Sequence, residues 1–334
     1  MDAPTTWGSA FTTPAMNRPQ TVVVALDFSS GSEAALVRAA DLAERTGAAL
    51  HLLHADVLFR SSGDGAPPDA SPSSALRVRV ERFAASALGL GDTGGLDRLA
   101  PTVAVERDVT APAAILRYTA EVAADLLVIG THGRSGLGRL LLGSVAEACV
   151  AQAPCPVLTV PTRAGGTGPS AAAPVLVAVD FSERSRAALA AGRELADLYG
   201  ADVEAVHVVR DAGPYPGFAP NVLSLSDFDP AQGEAVRERL AAFAATVPGA
   251  ELTALHVGLG APSRVVASLA AERGAGALVM GTHGRTGVAH ALVGSVAEAT
   301  LRRAPCPVLT LRQAGRLSDG RRPVRSALGQ PALA

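Results

Sequence analysis

The chain has 334 residues, 48% hydrophobic and 18% charged, with a formal net charge of −2 and a pI near 6.4. That composition excludes a disordered protein, the near-neutral charge argues against a general nucleic-acid binder, and the absence of any run of 18 apolar residues excludes a membrane-spanning helix. All 29 basic residues are Arg and none is Lys, so no phosphate-loop Gly-Lys-Ser/Thr step exists, and three Cys, an odd number, argue against a disulfide scaffold.

Residues 1–19 are polar and Pro-containing and predict a disordered tail; with neither a basic start nor an apolar stretch they do not read as a secretory leader, so a cytoplasmic protein is expected. TVVVALD (21–27) is a short β-branched run that suits a strand buried on both faces. Ser29 or Ser30 is placed to cap the next helix, EAALVRAADLAERTG, which ends at Gly47. ALHLLHA (49–55) is the second strand. A Gly/Pro/Ser loop (61–74) leads to a helix at 75–88. TVAVERD (102–108) is the third strand, Pro112 opens a helix over 113–123, and DLLVIG (125–130) is the fourth strand. A Gly-rich loop (130–143) runs into a helix at 144–151, and PVLTV (156–160) is the fifth strand. Strands alternating with helices imply parallel strands joined by right-handed crossovers, a doubly wound α/β sheet.

The whole unit is written twice. Residues 130–160 and 281–311 share 20 of 31 positions at an offset of 151, and VVVALDFS (22–29) matches VLVAVDFS (175–182) at an offset of 153. A repeat near 150 residues is a duplicated domain and not a solenoid unit. The expected organisation is a tail (1–19), a first domain (20–161), a flexible Gly/Pro/Ser/Ala linker (162–173), a second domain (174–312) and an Arg-rich C-terminal tail (313–334). The residues after Leu311 carry five Arg and one Asp, net +4, so the rest of the chain is near −6.

The loop after the fourth strand is the most informative stretch. It reads Gly130-Thr-His-Gly133, nine residues, then Gly143-Ser144, and again Gly281-Thr-His-Gly284, nine residues, then Gly294-Ser295. Glycines let backbone amides approach an anion, and the helix that opens at Gly143-Ser144 offers free N–H groups and a positive dipole end to a phosphate. The Ser144 hydroxyl adds a donor. Asp27 and Asp180 end the first strand of each copy, at the carboxyl side of the sheet where ligands bind in open α/β folds. A carboxylate there accepts hydrogen bonds from ribose hydroxyls or a base amino group; its plainer role is a helix N-terminal acid. Arg134 and Arg285 follow the GxxG step as candidate phosphate counter-charges or solvated loop residues. His132 and His283 read as polar loop residues, His54 and His207 as satisfied buried histidines, and the three Cys as inert thiols.

The AVDFS-like first strand, the G-x2-G-x9-G-[ST] loop and the PCPVL last strand, all present in both halves, resemble a tandem universal stress protein. The resemblance covers about 20–161 and 174–312. It implies an adenine nucleotide α-hydrolase-like fold, each domain a five-stranded parallel sheet in the order 3-2-1-4-5, with the switch point between strands one and four. It also implies ATP, with or without Mg2+, in each domain. By position, Asp27 and Asp180 contact the nucleoside, and Ala25 with Ala55, and Ala178 with Val208, line the adenine pocket. Gly130, Gly133, Gly143, Ser144 and Val145 cradle the phosphates, as do Gly281, Gly284, Gly294, Ser295 and Val296. Gly276 stands where the first copy has Asp125, and His290 where it has Arg139; the second of these differences means that the two sites need not be equal in affinity. Family members with one domain pair through the last strand, which implies pairing of VLTV (157–160) with VLTL (308–311) inside this chain, with a homodimer as a further possibility. The expected role is a nucleotide-dependent stress-response module with a protein partner the sequence does not identify. A slow ATP-hydrolysing enzyme and a ligand-free scaffold stay open as alternatives, although the loop supplies no evident nucleophile and no carboxylate-rich Mg2+ site.

Overall fold

The computed structural model describes residues 18–58, 73–131, 142–162, 169–170, 172–210, 223–224, 229–282 and 293–312. Both expected tails, nearly all of 1–19 and 313–334, lie outside the described residues, as does most of the linker.

In chain order the elements are β1 (Thr21–Leu26), α1 (Ser30–Thr46), β2 (Ala49–Val57), α2 (Ser73–Ala87), a 3-10 helix (Thr93–Arg98), β3 (Thr102–Asp108), α3 (Ala111–Glu121), β4 (Leu126–Gly130), α4 (Ser144–Gln152) and β5 (Val157–Val160). The second copy follows with β6 (Val175–Ala178), α5 (Glu183–Tyr199), β7 (Val203–Val209), β8 (Leu223–Ser224), α6 (Pro230–Ala244), β9 (Ala254–Leu259), α7 (Pro262–Glu272), β10 (Ala277–Gly281), α8 (Ser295–Leu301) and β11 (Val308–Leu311). The alternation matches the periodicity of the sequence. Two elements do not follow from it: the 3-10 helix of the first copy, and β8, which pairs antiparallel with β9 through Leu223 and Ser224.

The ends of the helices are set by local chemistry. Ser29 caps α1: its hydroxyl accepts from the Ser32 N–H, and Ser32 reciprocates to the Ser29 N–H. Gly47 closes α1 at φ 73°, a left-handed conformation that glycine adopts without penalty. At α5, one repeat of 153 away, Ser182 accepts from the Ser185 N–H and Gly200 closes the helix at φ 60°, but Ser185 bonds Asp180 instead of reciprocating.

The two copies are joined in one eleven-stranded sheet, ordered β3-β2-β1-β4-β5-β11-β10-β6-β7-β9-β8. The five repeated strands of each copy thus have the order 3-2-1-4-5 and are parallel to one another, β8 being an antiparallel addition to the second copy, and the copies meet where β5 and β11 pair antiparallel, Val308 opposite Thr159 and Thr310 opposite Val157. The last strands do pair within the chain. Thr159 and Thr310 are buried at this seam, and each hydroxyl donates across it, to Val308 O and Val157 O.

Strand side chains alternate between two cores. Val22, Val24 and Leu26 face one side with α1, α2, α5 and α6; Val23 and Ala25 face the other with α3, α4, α7 and α8. Burial on both faces is why these strands read as continuous apolar runs instead of alternating ones. The first core runs unbroken across the seam, from Val22 and Leu36 to Val177 and Leu189. Above it, Tyr199 of α5 donates its hydroxyl to Asp41 of α1, while Arg45 lies 4.3 Å over the Tyr199 ring and donates to Leu198 O at 3.2 Å.

The Asp125/Gly276 difference has a packing cause. Asp125 Oδ2 accepts from the Gln20 and Thr21 N–H groups at 2.8 and 2.9 Å, tying down the start of β1. In the second copy a Cβ on Gly276 would lie 2.5 Å from Pro169 Cα and 2.9 Å from Ala173 O. The end of the linker occupies the space of the aspartate side chain, and only glycine leaves room for it.

Candidate functional site

The switch point lies between β1 and β4 in the first copy and between β6 and β10 in the second, each strand pair having its neighbours on opposite sides. Ligands of open α/β sheets bind at such a point, outside the carboxyl ends of the strands. At that place in the second copy is a cavity of about 660 Å3, within the usual size range for a small-molecule site. Ala178, Asp180, Val208, Gly281, Gly294, Ser295 and Val296 all line it. Seven positions from four separate segments are thereby brought into one space. Their first-copy counterparts occupy the same elements: Ala25 in β1, Asp27 just after it, Ala55 in β2, Gly130 at the end of β4, and Gly143, Ser144 and Val145 at the start of α4. Gly133, Arg134, Gly284 and Arg285, with His132, Arg139, His283 and His290, lie outside the described residues.

Asp180 is built into the turn that starts α5. Its Oδ1 accepts from the Ser182 N–H at 3.1 Å, from the Ser182 hydroxyl at 2.6 Å and from the Ser185 hydroxyl. Asp27 does likewise with the Ser29 N–H (3.1 Å) and hydroxyl (2.5 Å). The turn fixes the carboxylate against the strand end.

The anchored turn forces the next residue into an unusual backbone. Phe28 and Phe181 sit at φ 65° and 64°, the left-handed region that a bulky side chain seldom occupies. Each ring is held on two sides. Phe28 stacks 4.5 Å from His54 and meets Phe83 edge-on at 5.5 Å; Phe181 stacks 4.4 Å from His207 and meets Phe243 at 5.5 Å. His54 and His207 are fixed through Nδ1, 2.7 Å from the carbonyl oxygens of Leu26 and Val179. Both are thus structural partners of the turn, and His207 also lines the cavity. Over each phenylalanine ring lies a guanidinium, Arg79 at 4.3 Å and Arg239 at 4.4 Å, a cation–π contact.

Arg239 and Arg210 line the cavity of the second copy. Sequence reasoning missed both, along with Phe181 and Arg79. The signal was present: Arg77-x-Arg79 with Phe83-Ala-Ala recurs as Arg237-x-Arg239 with Phe243-Ala-Ala. It recurs at an offset of 160, because the preceding loop is seven residues longer in the second copy, and exposed helical arginines resemble an ordinary solvated face.

At the start of the helix that follows the Gly-rich loop, the amide geometry is partly decided. The Gly143 N–H donates to Thr131 O at 2.8 Å and the Gly294 N–H to Thr282 O at 2.8 Å, closing the loop in each copy. These two N–H groups are therefore engaged. No side chain caps α4, so the N–H groups of Ser144, Val145 and Ala146, with the Ser144 hydroxyl, are the donors its first turn offers. Gly130 has a packing reason of its own: a Cβ there would lie 2.6 Å from the Gly31 carbonyl carbon of α1.

Among the described residues no group of three or more His, Cys, Asp or Glu side chains could hold a metal ion. Cys149, Cys155 and Cys306 are free and buried, and burial pushes each thiol up to about 12, far from a reactive thiolate. A second concavity, about 720 Å3, follows β9 towards its amino end past His256 and Arg237. There His256 Nε2 lies 2.8 Å from Glu204 Oε2, and Arg273 binds the same carboxylate at 2.6 and 2.9 Å, so His256 is already committed to a structural network. Among the described residues no helix is long and apolar enough to cross a membrane.

A family model described as the Universal stress protein family matches the chain twice, over residues 19–161 and 173–312. The universal stress protein Rv2005c of Mycobacterium tuberculosis is 34% identical over 195 residues, which is 57% of this chain and spans 62% of that relative's length. A universal stress protein of Mycolicibacterium smegmatis is 28% identical over 296 residues, 87% of this chain and 96% of the relative. A solved universal stress protein from Archaeoglobus fulgidus covers 88% of this chain and 98% of its own, at 21% identity and a TM-score of 0.59, and so shares the fold.

Proposed function

The chain belongs to the universal stress protein family, and from that premise we propose that it is a nucleotide-dependent stress-response module that binds ATP at the switch point of each copy. The observation that carries this reading is the convergence of Ala178, Asp180, Val208, Gly281, Gly294, Ser295 and Val296 on one cavity. In this reading Ala178 and Val208 are the apolar bed of the adenine, and Asp180 accepts from the nucleoside. The phosphates run towards Gly281 and Ser295. Ala25, Ala55, Asp27, Gly130, Ser144 and Val145 play the same parts in the first copy. Gly143 and Gly294 act through shape and loop closure, since their own N–H groups are engaged. Gly133, Gly284, Arg134 and Arg285 complete the loop in the same proposal. Mg2+, where present, travels with the phosphates, since it is commonly held by them and by water instead of a protein cage. With ATP bound the module acts by favouring one conformation, which requires that the nucleotide bind two states unequally.

The test is direct. Purified protein is denatured and its supernatant chromatographed for adenine nucleotide, and the nucleotide-free protein is titrated with ATP by calorimetry. Two ATP per chain are expected, with Asp180→Ala and Asp27→Ala each removing one. No co-purified nucleotide and no heat would defeat the reading.

A further inference from the structure

We infer that Arg239 and its counterpart Arg79 recognise the sugar: each donates to the ribose hydroxyls of a nucleotide from which Asp180 or Asp27 accepts, and so selects ribonucleotides over their deoxy forms. This deepens the proposed function and rests on it.

An arginine is kept in both copies through a change of register. Strand β1 maps onto β6 at an offset of 153, but α2 maps onto α6 at 160. Solvent-facing positions of these helices differ freely, Val78 corresponding to Glu238 and Arg82 to Ala242. Arg77 and Arg237 are accounted for by the strand carbonyls to which they donate. Arg79 and Arg239 face solvent as well, yet each lies over the ring of the phenylalanine that follows the site aspartate. A cation–π contact at an exposed place adds little stability. It does hold the guanidinium at the rim of the site. In the second copy α6 reaches the cavity through Val236 and Arg239, one turn apart on one helix face.

The proposed adenine bed and the start of α8 lie on the other side of the sheet. Ala178, Val208 and Val296 pack against the core on the α7 and α8 side, whereas Phe181, under Arg239, packs against the opposite core. Arg239 therefore stands across the strand ends from both, over the residue next to Asp180. The part of a nucleotide that bridges base and phosphates is the sugar. The chemistry of the pair agrees with that placement. An ionised carboxylate only accepts hydrogen bonds and a guanidinium only donates them. A sugar hydroxyl does both, so the two groups together match it, while a phosphate is repelled by the carboxylate. A deoxy position offers neither a donor nor an acceptor.

The experiment is calorimetric titration of the nucleotide-free full-length protein with ATP, AMP, 2′-deoxy-ATP and 3′-deoxy-ATP. ATP is expected to bind more tightly than at least one deoxy form, by about three- to tenfold, the range of one hydrogen bond at a solvent-facing rim. Arg239→Met keeps an apolar stem over Phe181 and removes the donors. It should weaken ATP at one of the two sites by the same factor, weaken AMP equally and leave that deoxy form unchanged. Arg79→Met should do so at the other site, and stands as the check should Arg239→Met fail to fold. Arg239→Lys, which keeps a donor, should restore part of the preference. Equal affinity of ATP and both deoxy forms for the unaltered protein would overturn the inference, as would methionine variants that bind ATP unchanged. So would a loss in Arg239→Met that is the same for every ligand, the mark of a purely structural role, or one that grows from AMP to ATP, the mark of a phosphate contact. In each of these cases nucleotide binding stands; failure of every nucleotide to bind would overturn the proposed function itself.

Discussion

At the scale of single residues, the switch point is held by steric and conformational demands that a ligand does not create. Gly130 lies against the backbone of α1, where an added Cβ would come within 2.6 Å of the Gly31 carbonyl carbon and 2.7 Å of its oxygen. Neither atom is the end of a flexible side chain, so α1 or β4 must shift. Gly130→Ala is therefore expected to destabilise the protein by about 1–3 kcal/mol in denaturant unfolding without nucleotide. Unchanged stability with lost ATP binding would instead assign that glycine to the ligand alone. Phe28 and Phe181 show the converse: a bulky residue kept in left-handed backbone because Asp27 or Asp180 shapes the turn and His54 or His207 receives the ring. Backbone strain of this kind concentrates at functional sites, and here it recurs at both.

At the scale of elements, β3, the outermost strand of the first copy, and β9, which β8 covers only at Gly258 and Leu259, are treated alike. Arg77 of α2 donates to Val103 O of β3 at 2.6 Å, and Arg237 of α6 to Leu255 O of β9 at 3.4 Å. Val103 and Leu255 hold the same register position, so in both copies a helical arginine occupies a carbonyl at the outer strand, where an unpaired edge would template association. The second copy also ties β7, β9 and the end of α7 together through Glu204, whose side chain is 4% exposed. Burial by itself would raise the Glu204 carboxyl, but hydrogen bonds from Arg273 and His256 outweigh it and hold the group below its ordinary value of 4.5. A depressed carboxyl contributes stability that is fully present above the ordinary value and is lost as pH falls through it towards the lower folded value. Unfolding free energy measured from pH 6 down to pH 3 should therefore drop in that window, and Glu204→Gln should lower stability at pH 6 while making the acid slope shallower. An unchanged acid slope in that variant would show that the network contributes no linkage.

At the scale of the whole molecule, the two copies are fused through β5 and β11 and through the contacts of α1 with α5. Val157, Leu158, Thr159 and Val160 are all buried there. A first copy cut off after residue 162 would expose that strand, with its unpaired N–H and C=O groups and the apolar faces of Leu158 and Val160. Such a fragment is expected to dimerise through β5. Sedimentation of residues 18–162 checks this, with Thr159→Arg, which places a charge at the seam, returning it to monomer. A fragment that is monomeric without that change would mean that the seam depends on the second copy for more than edge pairing.

The sequence by itself determined the local elements, the duplication and the place of the candidate site. Apolar β-branched runs, serine caps and glycine stops act over a few residues, so TVVVAL, Ser29 and Gly47 announce a strand, a cap and a helix end without reference to the rest of the chain. The spacing of Gly130, Gly143 and Ser144 was legible for the same reason. Tertiary structure alone decided what depends on distant segments meeting. It revealed that Asp125 is replaced by the linker at Gly276 and that Arg239 lies over Phe181. It placed Arg210 in the cavity where the first copy has Val57, and it sealed the seam with threonine hydroxyls. Such contacts join residues tens to more than a hundred positions apart, and charge or packing across that separation leaves no periodicity for a linear reading to find.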